Sequence, residues 1–115
     1  MEIHELSLTD QLNELKNGSF TSTELTQHYL DRISNFDEDI NSFITVTADL
    51  ALKQAKESDA RYKSNKALPL DGIPIAHKDI FCTENILTTC GSKMLSNFKA
   101  PYSSTVVNNL SSDGV

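Results

Sequence analysis

Along the first sixty positions apolar residues recur at helical spacing, and residues with capping chemistry stand at the breaks. Ser7 precedes Leu8, Leu12 and Leu15, which are spaced by four and three, and Gly18 follows. This predicts a short amphipathic helix over 8–16, opened by a serine oxygen and stopped by a glycine. Thr21-Ser22-Thr23-Glu24 has the form of a capping box, in which hydroxyl and carboxylate satisfy free N–H groups of a first turn. The helix it opens presents Leu25, Tyr29, Ile33 and Phe36 on one face and is expected to end at Asp37-Glu38-Asp39. Ala48, Ala51, Leu52, Ala55 and Tyr62 place a third helix, with enough alanine for a neighbour to approach closely.

Before and beyond that third helix the pattern changes. Residues 43–47 are rich in β-branched and aromatic side chains and are expected to form a strand. Leu70-Asp71-Gly72-Ile73-Pro74-Ile75-Ala76-His77-Lys78-Asp79 is a second strand-like run, and it delivers a lysine. Pro74 cannot donate to a ladder, so 73–77 suits an edge or irregular strand. Ile80-Phe81-Cys82 is a further apolar stretch, and Glu84-Asn85 is expected to turn, because asparagine tolerates positive φ. Thr88-Thr89-Cys90-Gly91-Ser92 forms a small-residue loop, with Ser92 expected to cap a short helix through Leu95. Ser103-Ser104 precedes a last helix over 105–112, and Asp113-Gly114 turns the chain. No internal repeat, low-complexity tract or domain linker is visible.

Composition narrows the classes. Among 115 residues 23% are charged and 38% hydrophobic, which fits a globular chain with one modest core. The net charge of -6 argues against an electrostatic grip on nucleic acid. No apolar run approaches the ~20 residues of a membrane span. Met1-Glu2-Ile3-His4-Glu5 lacks the basic-then-apolar layout of a signal peptide, so a cytoplasmic location and no membrane partner are expected. Cys82 and Cys90 do not make a disulfide framework and are expected as reduced thiols.

Lys78 is the candidate for chemistry. At the end of a buried strand its neutral form would be favoured, by up to ~3–5 pKa units, which is the state a serine–lysine hydrolase needs. The plainer alternative is a lysine snorkelling from a strand end, and periodicity alone leaves the two open. Strand alternation would point Lys78 away from Asp79, so the two need not form an ion pair. Metal ligation is not expected: the cysteines are eight residues apart without a histidine at ligand spacing, and His4, His28 and His77 show no HxxxH arrangement. His28 is expected to rim a helix. The glycines form no phosphate cradle, and no serine sits in a glycine-flanked nucleophile turn. Ser92, Ser103 and Ser104 are expected as helix caps.

Leu70 to Ile75 running into Lys78-Asp79, followed by Thr88-Thr89-Cys90-Gly91-Ser92, is similar to the opening of the amidase signature family. The match extends through Asp79-Ile80-Phe81-Cys82-Thr83, Gly91-Ser92-Lys93-Met94-Leu95, Asn97-Phe98, Ala100-Pro101-Tyr102 and Thr105-Val106-Val107. Within the family it most resembles the branch of glutamyl-tRNA(Gln) amidotransferase A subunits. The resemblance spans essentially the whole chain, and residues 70–107 carry its most specific part. Three departures fall in turns or helix ends: Glu84-Asn85 where relatives turn on a glycine, Ser103-Ser104 for Asp-Ala, and Ser112-Asp113-Gly114 for a small-residue ending.

The resemblance implies an α/β fold, the N-terminal part of the amidase signature α/β/α architecture, with helices plus the first strands of a mixed sheet. It implies a Ser–cis-Ser–Lys triad whose lysine maps onto Lys78, with both serines beyond residue 115. Residues 1–115 are then expected to be the N-terminal segment of a single amidase domain, lacking the nucleophile and inactive alone. The implied activity is glutamine hydrolysis that supplies ammonia for converting Glu-tRNA(Gln) to Gln-tRNA(Gln). The implied partners are glutamine as substrate, subunits B and C of a heterotrimer, and Glu-tRNA(Gln) through the complex. No cofactor or metal is expected in this chain; ATP and Mg serve the whole complex. Two alternatives stay open: an amidase of the same family acting on small amides, and a non-catalytic module that binds a partner.

Overall fold

In the computed structural model, which describes residues 1–115, the chain divides into two compact units, Met1–Pro74 with Asp113–Val115, and Ile75–Ser112. The first contains a 3-10 turn, Ile3–Glu5, and three α-helices: α1 Leu8–Asn17, α2 Ser22–Ile40 and α3 Ala48–Lys63. The second contains a 3-10 turn, Lys93–Leu95, and α4 Thr105–Ser112.

The helix ends follow the local chemistry. Ser7 Oγ accepts from the Asp10 N–H at the start of α1, and Gly18 closes it with φ +75°. Thr21 Oγ1 accepts from the Glu24 N–H while the Glu24 carboxylate accepts from the Thr21 N–H, so α2 opens on a complete capping box. The Thr21 N–H and the Thr21 hydroxyl, both donating to the Glu24 carboxylate, hold that carboxyl below its usual range. The acidic run 37–39 does not end α2. The helix continues to Ile40 and stops at Asn41, which takes φ +56°, a left-handed turn that asparagine tolerates.

The core of the first unit gathers Leu15, Leu25 and Ile73, with Ile3, Leu12, Phe20, Tyr29 and Tyr62 packed around them. Helices α2 and α3 pack on each other, and the small buried residues Ala55 and Ser58 lie on α3, as its alanine-rich pattern predicts. Asp59 of α3 also reaches the start of α2. Its Oδ1 accepts from the Ser22 N–H at 2.7 Å, and its Oδ2 accepts from the Thr23 hydroxyl at 2.6 Å. A carboxylate at that place satisfies free N–H groups and opposes the positive end of the helix dipole. Of the expected apolar face of α2, Leu25 is buried and Tyr29 and Ile33 half-buried, whereas Phe36 is 50% exposed beneath the Arg32 guanidinium.

Residues 68–73 are fixed by both ends of the unit. Leu70 donates to the Asp113 carbonyl at 2.8 Å, Gly72 donates to the Gly114 carbonyl at 2.9 Å, and Ser22 Oγ donates to the Gly72 carbonyl at 2.8 Å. Gly72 has φ +81°, and a Cβ there would lie 2.6 Å from Ser58 Oγ and 2.8 Å from Ser22 Cβ. Strain and overlap act together at this position. Gly72→Ala is expected to lower stability by ~1–3 kcal/mol, read as a lower midpoint in urea unfolding. A midpoint equal to that of the unsubstituted protein would contradict this packing.

The expected strands are not formed. Residues 43–47 and 73–77 are irregular, and so is 80–82; the β pairing is confined to one antiparallel bridge between Leu87 and Lys99. Strand-forming side chains do not make a strand by themselves, because a ladder needs a second segment alongside. Ile44, Val46 and Ile75 are accordingly exposed at 63%, 46% and 44%.

Candidate active site

Lys78 lies in the second unit, in the irregular segment that precedes a turn closed by the Phe81 N–H on the Lys78 carbonyl at 3.0 Å. Its side chain is exposed, which corrects the expectation of a lysine buried at a strand end. It makes no salt bridge with Asp79, although no strand forms to set the two on opposite faces; the ion pair of the chain is Arg61–Asp71, in the other unit.

Asp79 instead anchors the lysine segment to the small-residue loop. Its Oδ1 accepts from the Thr89 N–H at 2.9 Å, and its Oδ2 pairs with the Thr89 hydroxyl. The Asp79 carbonyl accepts from the Cys90 N–H at 2.7 Å, and Thr89 Oγ1 accepts from the Gly91 N–H at 3.1 Å. The Thr89 hydroxyl bond, with further help from backbone N–H groups, holds the Asp79 carboxyl below its usual range against a smaller opposing effect of burial. The loop can present its N–H groups this way because Cys90 and Gly91 both have positive φ, 52° and 68°. Thr88 and Thr89 are buried beneath it. The arrangement therefore fixes the backbone that carries Lys78 and leaves the amine free to meet other groups.

The rest of the second unit braces this region. Thr88 donates to the Phe98 carbonyl at 3.0 Å, and Asn85 and Ala100 join the two sides of the Leu87–Lys99 bridge at 2.8 and 3.2 Å. Asn85 has φ +62°, as the predicted turn requires. Ser104 Oγ accepts from the Val107 N–H at 3.4 Å, consistent with its expected cap of α4. Ser103 and Ser92 do not act as helix caps. Ser103 Oγ accepts from the Glu84 N–H at 3.0 Å, and the Ser92 hydroxyl makes no cap bond.

Both cysteines are free, Cys82 half-buried and Cys90 exposed. Neither lies on Asp79 or Thr89 through its thiol. Replacing both with serine is expected to leave the circular dichroism unchanged and the turnover of an active full-length version within about twofold. Loss of turnover with an intact fold would assign a thiol to the chemistry.

Sequence spacing missed two groupings. One is Asp79 with Thr89; its only trace in the sequence is a Lys-Asp pair ten residues before a threonine-rich loop. The other joins His4 and His28, whose ring nitrogens approach to 2.9 Å with Glu2 beside them. The spacing of these histidines shows no HxxxH arrangement, and they meet because the 3-10 turn at 3–5 packs against α2.

The sequence model of the amidase family, described as "Amidase", matches residues 24–115. The chain belongs to the amidase family. The A subunit of glutamyl-tRNA(Gln) amidotransferase from Saccharophagus degradans is 53% identical over 113 residues, covering 98% of this chain. Its counterpart from Nitrosococcus oceani is 54% identical over 112 residues, covering 97%. This amidase chain spans 23% of the length of each of those relatives. A solved structure agrees at a TM-score of 0.89 with 26% identity, covering 95% of this chain and 24% of its own. It is described as an inhibitor-bound vestigial protein complex that reveals the evolutionary origins of an s-triazine catabolic enzyme. The backbone of this stretch thus follows the fold of that structure closely. No helix is long and apolar enough to cross a membrane.

Proposed function

We propose that this chain carries the lysine of a serine–cis-serine–lysine amidase site, in an A subunit that hydrolyses glutamine for a tRNA-dependent amidotransferase. The observation that carries the reading is the exposed Lys78 amine on a backbone pinned by Asp79 to the Thr89–Gly91 loop, within a chain half identical to such subunits. In the proposed reaction neutral Lys78 accepts a proton through the cis-serine, and the nucleophilic serine attacks the side-chain amide carbon of glutamine. The C–N bond breaks, ammonia leaves with the returned proton, and water hydrolyses the acyl-enzyme to glutamate. Both serines belong, in this reading, to the part of full-length relatives that this chain does not span. The same part supplies the cover that favours a neutral amine, because Lys78 is exposed here. Ammonia then passes to a complex that uses ATP and Mg, with subunits B and C in the cytoplasm, to amidate Glu-tRNA(Gln).

The competing member of the same family is an amidase of small amides. Ammonia release by the full-length protein, compared on glutamine and on propionamide, separates the two. Turnover of glutamine with little on propionamide is expected; the reverse preference would overturn the amidotransferase reading.

A further inference from the structure

The group formed by Glu2, His4 and His28 plays no part in the lysine chemistry, and nothing in amide hydrolysis calls for it. One ligand atom from each of the three lies within 4.8 Å of the other two. His4 Nδ1 and His28 Nε2 are 2.9 Å apart, with ring centroids separated by 5.1 Å and planes inclined by 19°. The centroid separation is close to the N···N distance plus the two ring radii. The imidazoles therefore meet edge to edge in nearly one plane, with a proton held between inward-pointing nitrogens, rather than face to face.

The position of both rings is set by the fold. Ile3 packs against the Leu15–Leu25–Ile73 core, which fixes the neighbouring His4 at the rim of the unit. His28 stands one turn after Leu25, which is fully buried. The Glu5 carboxylate accepts from the Glu2 N–H at 2.7 Å and fixes the backbone that carries the third ligand. Both histidines are half-buried and Glu2 is exposed, so the group is shielded on one side and open to an ion on the other.

We propose that His4 Nδ1, His28 Nε2 and a Glu2 carboxylate oxygen form a binding site for a divalent zinc-like cation. A metal ion would take the place of the proton between the rings. The ring that donates the hydrogen bond shifts its proton to its outer nitrogen, so both inner nitrogens offer a lone pair and no net proton is lost from a neutral pair. Two imidazoles and one carboxylate suit Zn²⁺, with water in the remaining position. Zn–N bonds of ~2.0–2.1 Å at a tetrahedral angle need an N···N separation of about 3.3 Å and lone pairs that converge, so the rings have to part by a few tenths of an ångström and each tilt by roughly 35° from the head-on arrangement. The site is independent of Lys78 and of the proposed amide chemistry.

The test is calorimetric titration of ZnCl₂ into tag-free, EDTA-dialysed protein with Cys82→Ser and Cys90→Ser, so that no thiol competes. One ion per chain is expected to bind. His4→Ala and His28→Ala should each weaken binding at least about tenfold, and Glu2→Gln should weaken it less. In parallel, ¹⁵N spectra of the unsubstituted imidazoles, which need no variant, should show His4 Nδ1 and His28 Nε2 shifting on zinc addition. Absence of binding heat, or affinity unchanged in both histidine variants, would overturn the proposal. So would zinc-induced shifts at His77 with His4 and His28 unmoved. Should the alanine variants fail to fold by circular dichroism, the imidazole spectra decide.

Discussion

Lys78→Ala in the full-length amidase is expected to lower glutamine turnover by at least about 10³-fold while leaving its thermal melt close to that of the parent. The two halves of this expectation come from the same geometry. Within residues 1–115 Lys78 is exposed and makes no ion pair, so its side chain adds nothing to the packing of the segments that carry it. Its backbone is held independently, through Asp79 on the Thr89 N–H and the Asp79 carbonyl on the Cys90 N–H. A lysine with so little structural work and such a fixed backbone fits a residue kept for chemistry. Steady-state ammonia release and a melt on the same preparation check both halves. A large drop in melting temperature accompanying the lost turnover would make Lys78 a stabilising residue and weaken its catalytic assignment.

The largest effect on stability is expected at Asp71. Its side chain is completely buried, and Arg61 approaches it with a two-pronged contact, Nε to Oδ2 at 2.7 Å and Nη2 to Oδ1 at 2.6 Å. The Leu68 N–H adds a third bond to Oδ2 at 3.0 Å, and the Tyr62 hydroxyl donates to the Asp71 carbonyl at 2.8 Å. Asp71→Ala leaves a partly buried guanidinium and the Leu68 N–H without their acceptor, and breaking a pair with one fully buried partner costs about 3–5 kcal/mol. Burial pushes the Asp71 carboxyl up, but its hydrogen bonds, that from Arg61 above all, outweigh burial and leave it below its usual range. A carboxylate with a lowered folded pKa adds stability that is fully present above its unfolded pKa, about 3.9, and is lost as pH falls through the folded value. The gap in unfolding free energy between the parent and Asp71→Asn should therefore be wide at pH 7 and narrow as pH falls below about 4. A gap that stays constant across that range would show that shape rather than charge at Asp71 matters.

Local chemistry was legible where it is decided within a few residues. Ser7, Gly18 and the Thr21–Glu24 capping box mark helix ends that the structure reproduces, because a cap needs only its own first turn. Helix α4 runs over the expected residues, and Asn85 turns as its tolerance of positive φ allows. What could not be read is what depends on distant partners. The strand character of 43–47 and 73–77 is a side-chain preference without a neighbouring strand, so those segments stay irregular. The Arg61–Asp71 pair and the approach of His4 to His28 bridge ten and twenty-four positions, and no periodicity encodes them. For the candidate site, Lys78 is named by the family resemblance alone, whereas the role of Asp79 toward Thr89 emerges only when the loop is folded against it.

In the proposed mechanism Lys78 acts as a base and not as a fixed positive charge. The direct test uses the full-length protein assembled into the proposed amidotransferase complex and carrying Lys78→Arg, with Gln-tRNA(Gln) formation measured on glutamine and, separately, on free ammonia. Arginine keeps the charge but stays protonated and cannot accept a proton. Glutamine-dependent product is expected to fall to the level of Lys78→Ala while ammonia-dependent product is retained. Near-normal glutamine-dependent turnover by Lys78→Arg would contradict it.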